Sequence, residues 1–373
     1  MKTNPLFLAI GLLTGTIIGA GIFALPYLFK TAGLLTGFFY LALGSVVYIT
    51  VYGLYADVIL RTAGEHRFVG YARRYLGRVP AAFSILMTIV ETILVLTIYL
   101  ILSLSFSRLI FPADQGISML IIFWVIGSLS IFWGERRIAA YELLVTIGIV
   151  AIIVIVFLFG VPALDQLQAG DWSPQASWWL LPLAPVLFAL SGRVAVPPLI
   201  KILKDRRAII KAISIGTILS AVVYALFAVS IIALSPAVSK DAVSGLVGVV
   251  PGIVLALIGA FGLLSLLSSY TTIGFDINKS LTLDLKLSGG LRILLVVVAP
   301  LALYFAGLQD FIVLIGFVGG IFLALESLFI IWMWQRANET SKNGPLLVSR
   351  NNTFLVGISM IVFVAALIYE FVK

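Results

Sequence analysis

The sequence contains no cysteine and a single histidine, His66. The first absence excludes disulfides, iron–sulfur clusters and thiol chemistry. The second removes metal hydrolysis and serine–histidine catalysis, because His66 lies in a basic loop and no apolar segment holds a histidine. Charge is scarce too. Only 11% of the 373 residues are Asp, Glu, Lys or Arg, against about 25% in a soluble domain. Hydrophobic residues make up 62%, so lipid rather than water solvates most of the chain.

The formal charge of +8 does not mark a nucleic-acid partner, because of where it sits. Apolar runs and their polar breaks predict eleven spans. They lie at roughly 5–29, 34–60, 80–107, 117–133, 138–160, 178–200, 208–234, 251–276, 291–307, 310–334 and 353–371. Pro80 opens the third, Pro112 follows its exit and Pro251 opens the eighth. One set of loops carries Arg61, Arg67, Arg73, Arg74, Arg78, Arg136, Arg137, Lys201, Lys204, Arg206, Arg207, Lys211, Lys279, Lys286, Arg336, Lys342 and Arg350. The alternate loops offer Lys30, Arg108 and Lys240 among Asp114, Asp165, Asp171, Asp241 and Asp310.

That asymmetry predicts an integral protein of the cell membrane (plasma or inner), its N-terminus cytoplasmic and its C-terminus outside. Met1–Leu28 reads as a mature span, since its apolar stretch is too long for a signal-peptide core. Gly64–Leu76, amphipathic and basic, is expected as a helix on the cytoplasmic surface. Ser235–Val250 is expected as an outer loop folding back over the opening.

Two stretches resemble each other. Ala20-Gly21-Ile22-Phe23-Ala24-Leu25-Pro26 in the first span and Ser191-Gly192-Arg193-Val194-Ala195-Val196-Pro197 in the sixth share a small-Gly-x-x-Ala-x-Pro pattern. A repeat of five spans is odd, so its second copy enters the membrane from the opposite side. The expected fold is all-α and polytopic: a five-helix repeat over 1–160, an inverted repeat over 161–335, and a loop with an extra helix over 336–373. Irregular backbone survives at membrane depth only where it lines a cavity. The freed N–H groups of a half-helix suit a carboxylate, and freed carbonyls suit an ammonium group or a cation. Small residues for close helix packing is the competing reading. It fits less well, because here they are contiguous rather than four apart.

Gly15-Thr16-Ile17-Ile18-Gly19-Ala20-Gly21-Ile22-Phe23-Ala24-Leu25-Pro26 resembles the first-span motif of the amino acid–polyamine–organocation superfamily. Within it, the hydroxy/aromatic amino acid permeases and the amino acid/auxin permeases are most similar. Pro185 through Pro197 resembles their sixth span, and Ser268-Ser269-Tyr270 through Gly274-Phe275-Asp276 the end of their eighth. The resemblance implies a LeuT-type fold, an amino acid substrate and no cofactor. It also implies that the amides of Ala20, Gly21 and Ile22, beside Gly19, receive the substrate carboxylate. The carbonyls of Thr16, Ile17, Ala189 and Leu190, beside Ser191 and Gly192, would receive its amine. A sodium ion, where used, would meet the carbonyls of Gly15, Ile18 and Ser265 and the hydroxyls of Ser268 and Ser269, hard oxygen ligands suited to a small cation. Helix back-bonding is the other reading of the Ser268-Ser269 hydroxyls.

Ionisable residues at membrane depth are functional candidates by default. The deepest are Glu91, Arg193 and Glu326, whereas Asp57, Glu142 and Asp276 lie nearer span ends. Arg193 departs from the family pattern, and two readings of it stay open: an acidic group on the substrate, or a buried carboxylate. Glu91 is the expected partner, sharing a helix face with Thr88, Thr92, Val95, Tyr99 and Ser103. Glu91 and Glu326 are the proton-coupling candidates, and Phe23, Tyr99, Phe188 and Arg193 those placed to read the substrate side chain. The expectation is a proton- or sodium-coupled amino acid symporter working by alternating access, with lipid as its solvent. The alternatives are an uncoupled facilitator or exchanger of amino acids or polyamines, a channel, and a transport-dead scaffold.

Overall fold

Lipid offers no hydrogen-bond partner, so an apolar chain must satisfy its own backbone. In the computed structural model the described residues accordingly form helices and no strand. The structure describes residues 4–64, 66–112, 117–132, 150–203, 205–235, 237–283, 285–340 and 353–373. Outside them lie the end of the expected fourth span and most of the fifth, with Arg136, Arg137 and Glu142, and the polar segment of Lys342 and Arg350.

The first span is α1 (Pro5–Ile17) and α2 (Leu25–Ala32), joined through a tight turn at Ala20–Phe23 and bent by 52°. There follow α3 (Leu34–Arg61), α4 (Phe68–Leu76), α5 (Arg78–Ile110), α6 (Ile117–Ser130) and α7 (Val150–Gln166). The sixth span is α8 (Leu183–Ala189) and α9 (Val196–Ile202). Then come α10 (Arg206–Leu234), α11 (Gly252–Leu283), α12 (Gly289–Phe305), α13 (Phe311–Glu339) and α14 (Thr353–Val372). Among the described residues seven helices are long and apolar enough to cross a membrane, eight with the bent first pair as one span. The shorter apolar helices α6, α7 and α12 stand where the remaining expected spans lie. Outward residues around the bundle, among them Leu86, Leu129, Leu158, Ile253 and Ile361, are exposed and apolar, as a lipid-facing surface requires.

Helix ends follow local chemistry. Asn4, Asp205 and Asp310 cap α1, α10 and α13 through their side chains. The surface helix is shorter than the sequence suggests. Gly64 stands at φ +85°, outside helical space, so α4 begins only at Phe68. It buries Phe68, Tyr71 and Ala72 and exposes Arg73 and Arg74. The face of the bundle that carries α4 and the N-terminus is called the basic face below. On the opposite face the 235–250 loop does tuck in. The Asp241 carboxylate gathers the Ser239 hydroxyl and the Ser244 amide and hydroxyl, burying Ala242, Val243 and Leu246.

Two ion pairs fasten that opposite face. Lys240 reaches Asp310 at 2.6 Å, and Lys30 at the end of α2 pairs with Asp171. Burial opposes ionisation of Asp171, but the Lys30 ammonium and the Gln168 N–H outweigh it and hold the carboxyl below its ordinary 3.8. A depressed carboxylate stabilises the fold above its unfolded pKa and loses that contribution as pH falls through the lower, folded value. D171N is therefore expected to cost about 0.5–1 kcal/mol at neutral pH and to blunt the loss of thermal stability below about pH 4. Melting curves of both proteins across that range check it, and an unchanged acid limb in D171N would discard the link.

Candidate functional site

Both broken spans stop and restart in the same way. At the first break the Ile18 N–H closes α1 on the Thr14 carbonyl at 2.9 Å, and Gly19 is extended. Ala20 and Gly21 open the next turn with no side-chain cap, so their N–H groups have no acceptor within it. At the sixth-span break the Leu190 N–H bonds to the Val186 carbonyl, Gly192 leaves helical geometry at φ −156° and ψ 21°, and a new turn opens at Arg193, again without a side-chain cap. Each second half carries proline in its first positions, Pro26 and Pro197, where no donor is needed.

Glycine lets the two breaks touch. A Cβ on Gly21 would lie 2.5 Å from the Ala189 Cα, and one on Gly192 would lie 2.5 Å from the Ile17 Cγ1. Each break thus seats its glycine against the other's helix end, and Gly15 borders open space.

The carbonyls freed at these breaks are already engaged. The Tyr224 hydroxyl, fully buried on α10, lies 2.6 Å from the Ile17 carbonyl oxygen and 2.8 Å from that of Ala189. From α3, Tyr52 donates to the Leu190 carbonyl at 2.7 Å and Tyr48 to the Leu187 carbonyl at 2.8 Å. Tyrosine hydroxyls thus already meet the Ile17, Ala189 and Leu190 carbonyls, on which the resemblance would seat the substrate amine. The Ile22 N–H donates to the Gly19 carbonyl at 3.3 Å within the turn. Among the expected carboxylate-binding amides, Ala20 and Gly21 remain.

Arg193 finds a different partner from the one the helix face suggested. Its Nε pairs with the Glu326 carboxylate on α13, and its guanidinium lies 4.6 Å over the Phe68 ring. Glu326 is 5% exposed. Glu91 is half-buried on α5 and lies within electrostatic reach of both Arg193 and Glu326. A wide π-type turn at Val318–Leu323 immediately precedes Glu326 on α13, the kind of irregularity that accompanies functional sites. Gly319 in that turn presses on the Ala184 carbonyl, where a Cβ would clash at 2.1 Å, so α13 is seated directly on α8.

A cavity of about 220 Å³ lies on the basic-face side of the sixth-span break. Its walls include Tyr55, Phe68, Thr88, Arg193, Pro197 and Asp276. Arg67 bridges part of that rim, to Asp276 at 2.8 Å and Ser280 at 2.7 Å. On the other side of the first break Phe23 meets Phe106 and Phe227 edge-on, with ring centres 5.0 and 6.0 Å away. The site is thus stoppered by aromatics toward the opposite face and hollow toward the basic one.

The remaining candidates divide. Tyr99 is buried and its hydroxyl meets that of Ser269, while Phe188, buried on α8, packs beside Gly319. Thr16 turns its hydroxyl back to the Leu12 carbonyl. Ser265 and Ser268 are buried on α11, which packs mainly on α5 and α6, whereas α1 packs mainly on α10 and α9. Tyr99 stands near Tyr224, whose hydroxyl meets the Ile17 carbonyl, so Ser269 on α11 is linked through Tyr99 to the first break. Tyr52, Tyr224 and Phe68 were missed by sequence reasoning. The available signal was a tyrosine in the apolar middle of each of two spans, where its hydroxyl needs an acceptor.

Residues 5–231 match the family model of transmembrane amino acid transporter proteins. The chain belongs to this family. The match takes in both breaks, with Tyr52 and Tyr224. No curated protein matches significantly, but solved structures do over nearly the whole length of this family member. MhsT in complex with L-phenylalanine is similar with a TM-score of 0.68 at 15% identity, over 99% of this chain and 98% of that one. The inward-facing conformation of Mhp1 gives 0.61 at 16% identity, over 98% and 89%. Mhp1, a nucleobase-cation-symport-1 family transporter, closed around bromovinylhydantoin, gives 0.64 at 14% identity, over 98% and 91%. These likenesses establish a LeuT-type fold for the transporter, including the part beyond residue 231 that carries Glu326.

Proposed function

We propose that this transporter carries an amino acid by alternating access, as a cation-coupled symporter, with its two inverted five-helix repeats meeting at the paired breaks. The observation that carries the reading is the reciprocal contact of the breaks, Gly21 on Ala189 and Gly192 on Ile17, between an aromatic stopper and a one-sided cavity. The N–H groups of Ala20 and Gly21 receive the substrate carboxylate at the start of a half-helix whose dipole favours an anion. The basic face is read as cytoplasmic, from its excess of Arg and Lys.

A proton is favoured as the coupling ion. Glu91 and Glu326 set two carboxylates against the single guanidinium of Arg193, and a net charge at membrane depth is costly. One proton restores neutrality. Counterflow in proteoliposomes across the full panel of amino acids tests the transport reading. Uptake under imposed proton and sodium gradients then tests the coupling. No counterflow for any amino acid would end the first reading, and accumulation driven by sodium alone would end the second.

A further inference from the structure

The tyrosines at the breaks form a matched pair. Tyr52 and Tyr224 sit at the same distance from the first residues of their helices, Leu34 of α3 and Arg206 of α10. Each directly follows a broken span in the chain and pins the break of the other. Tyr52, just after the first span, donates to the Leu190 carbonyl of the sixth, and the Gly192 N–H faces its oxygen. Tyr224, just after the sixth span, reaches the Ile17 carbonyl of the first, and the Gly19 N–H faces its oxygen. Tyr224 also lies 2.8 Å from the Ala189 carbonyl, so its single hydroxyl proton is shared between the two breaks. Both side chains are fully buried.

The three carbonyls so engaged, Ile17, Ala189 and Leu190, are those on which the ammonium group of an amino acid would be expected. An ammonium brings three N–H donors. The empty site would otherwise hold three freed carbonyls in a low-dielectric interior, where an unmet acceptor is expensive. A substrate can meet that need only when it is bound, yet a carrier performing net transport must also cross over empty.

We infer that Tyr224, with Tyr52, stands in for the substrate's ammonium group, keeping the two breaks satisfied while the site is empty and so permitting the unloaded carrier to reorient. On arrival the ammonium takes over or shares these acceptors, and on release the hydroxyls reclaim them. The inference rests on the transport reading above and assigns Tyr224 a positioning role, not a share in substrate selectivity. A merely structural tyrosine would slow every mode of transport together. A stand-in donor matters only for the steps that an empty carrier performs.

Proteoliposomes holding wild type, Y224F or Y52F separate the two. Uptake of a mixture of tritiated L-amino acids is measured into vesicles preloaded with the unlabelled mixture (exchange) and into empty vesicles under the same gradients (net). The ratio of net to exchange uptake is expected to fall about tenfold or more in Y224F, the cost of leaving a buried acceptor unmet, and less in Y52F, which serves one carbonyl. An unchanged ratio, or net and exchange uptake falling in parallel, overturns the inference. Absence of exchange in the wild type instead overturns the transport reading beneath it. Should Y224F be unstable when purified alone, added amino acid mixture is expected to restore it more than it stabilises the wild type, and failure to do so counts against the inference.

Discussion

Replacing Glu326 by alanine is expected to lower the stability of the folded transporter by about 3–5 kcal/mol, the usual consequence of breaking a buried ion pair from one side. The side chains of Arg193 and Glu326 are only 17% and 7% exposed. A guanidinium cannot shed its proton to escape such a site, so E326A leaves a charge at membrane depth. Two features soften the loss. Phe68 keeps its cation–π contact with the guanidinium, and Glu91 stands within electrostatic reach, which places the result toward the lower end of the range. The double variant R193L/E326L removes both charges and is expected to recover most of the stability, since apolar replacement of a whole buried pair is often neutral. Thermal unfolding of the purified proteins measures both effects. A single variant costing no more than an exposed pair, under about 1 kcal/mol, would show that water already solvates this site. A double variant that folds well but no longer accumulates substrate would separate the pair's part in transport from its part in stability.

Most of the architecture was legible because the membrane imposes few solutions. Apolar runs set the spans and the alternation of Arg and Lys set the basic face, since both patterns answer to lipid alone. The breaks were legible for a related reason. A string such as Gly19-Ala20-Gly21 ahead of Pro26 is poor helix, and the structure interrupts α1 and α2 there. What fills an interruption is another matter. The donors to the Ile17 and Leu190 carbonyls come from Tyr224 and Tyr52, more than a hundred residues away in the chain. No local pattern names such partners.

Arg193 shows how a correct face can still give the wrong partner. Helical periodicity put Glu91 in line with Thr92, Val95 and Tyr99, of which the last three are buried and Glu91 half-buried. The same periodicity could not place Glu326, because the π-type turn at Val318–Leu323 adds a residue to the helix and rotates everything after it. In the structure Gly319 seats α13 on the Ala184 carbonyl and so aims Glu326 at the break.

The Gly21→Ala variant is expected to abolish transport, with counterflow reduced about tenfold or more and stability lowered by about 1–3 kcal/mol. Gly21 has ordinary backbone angles for any residue, so only space decides the outcome. Its added methyl would lie 2.5 Å from the Ala189 Cα, 2.8 Å from its Cβ and 3.2 Å from its amide nitrogen. Two of those three atoms belong to the backbone of the sixth-span break, which cannot yield without moving the Ala189 carbonyl off Tyr224. Gly192→Ala provides the contrast. Its methyl would meet the Ile17 Cγ1 at 2.5 Å and otherwise only side-chain carbons at 3.4 Å or beyond, and a side chain can turn to another rotamer at modest cost. G192A is therefore expected to retain far more counterflow than G21A, although the two glycines occupy the same place in the shared small-Gly-x-x-Ala-x-Pro pattern. Equal loss in both variants would mean that the breaks tolerate no added atom anywhere. Normal counterflow in G21A would mean that the contact between them is not what positions the site.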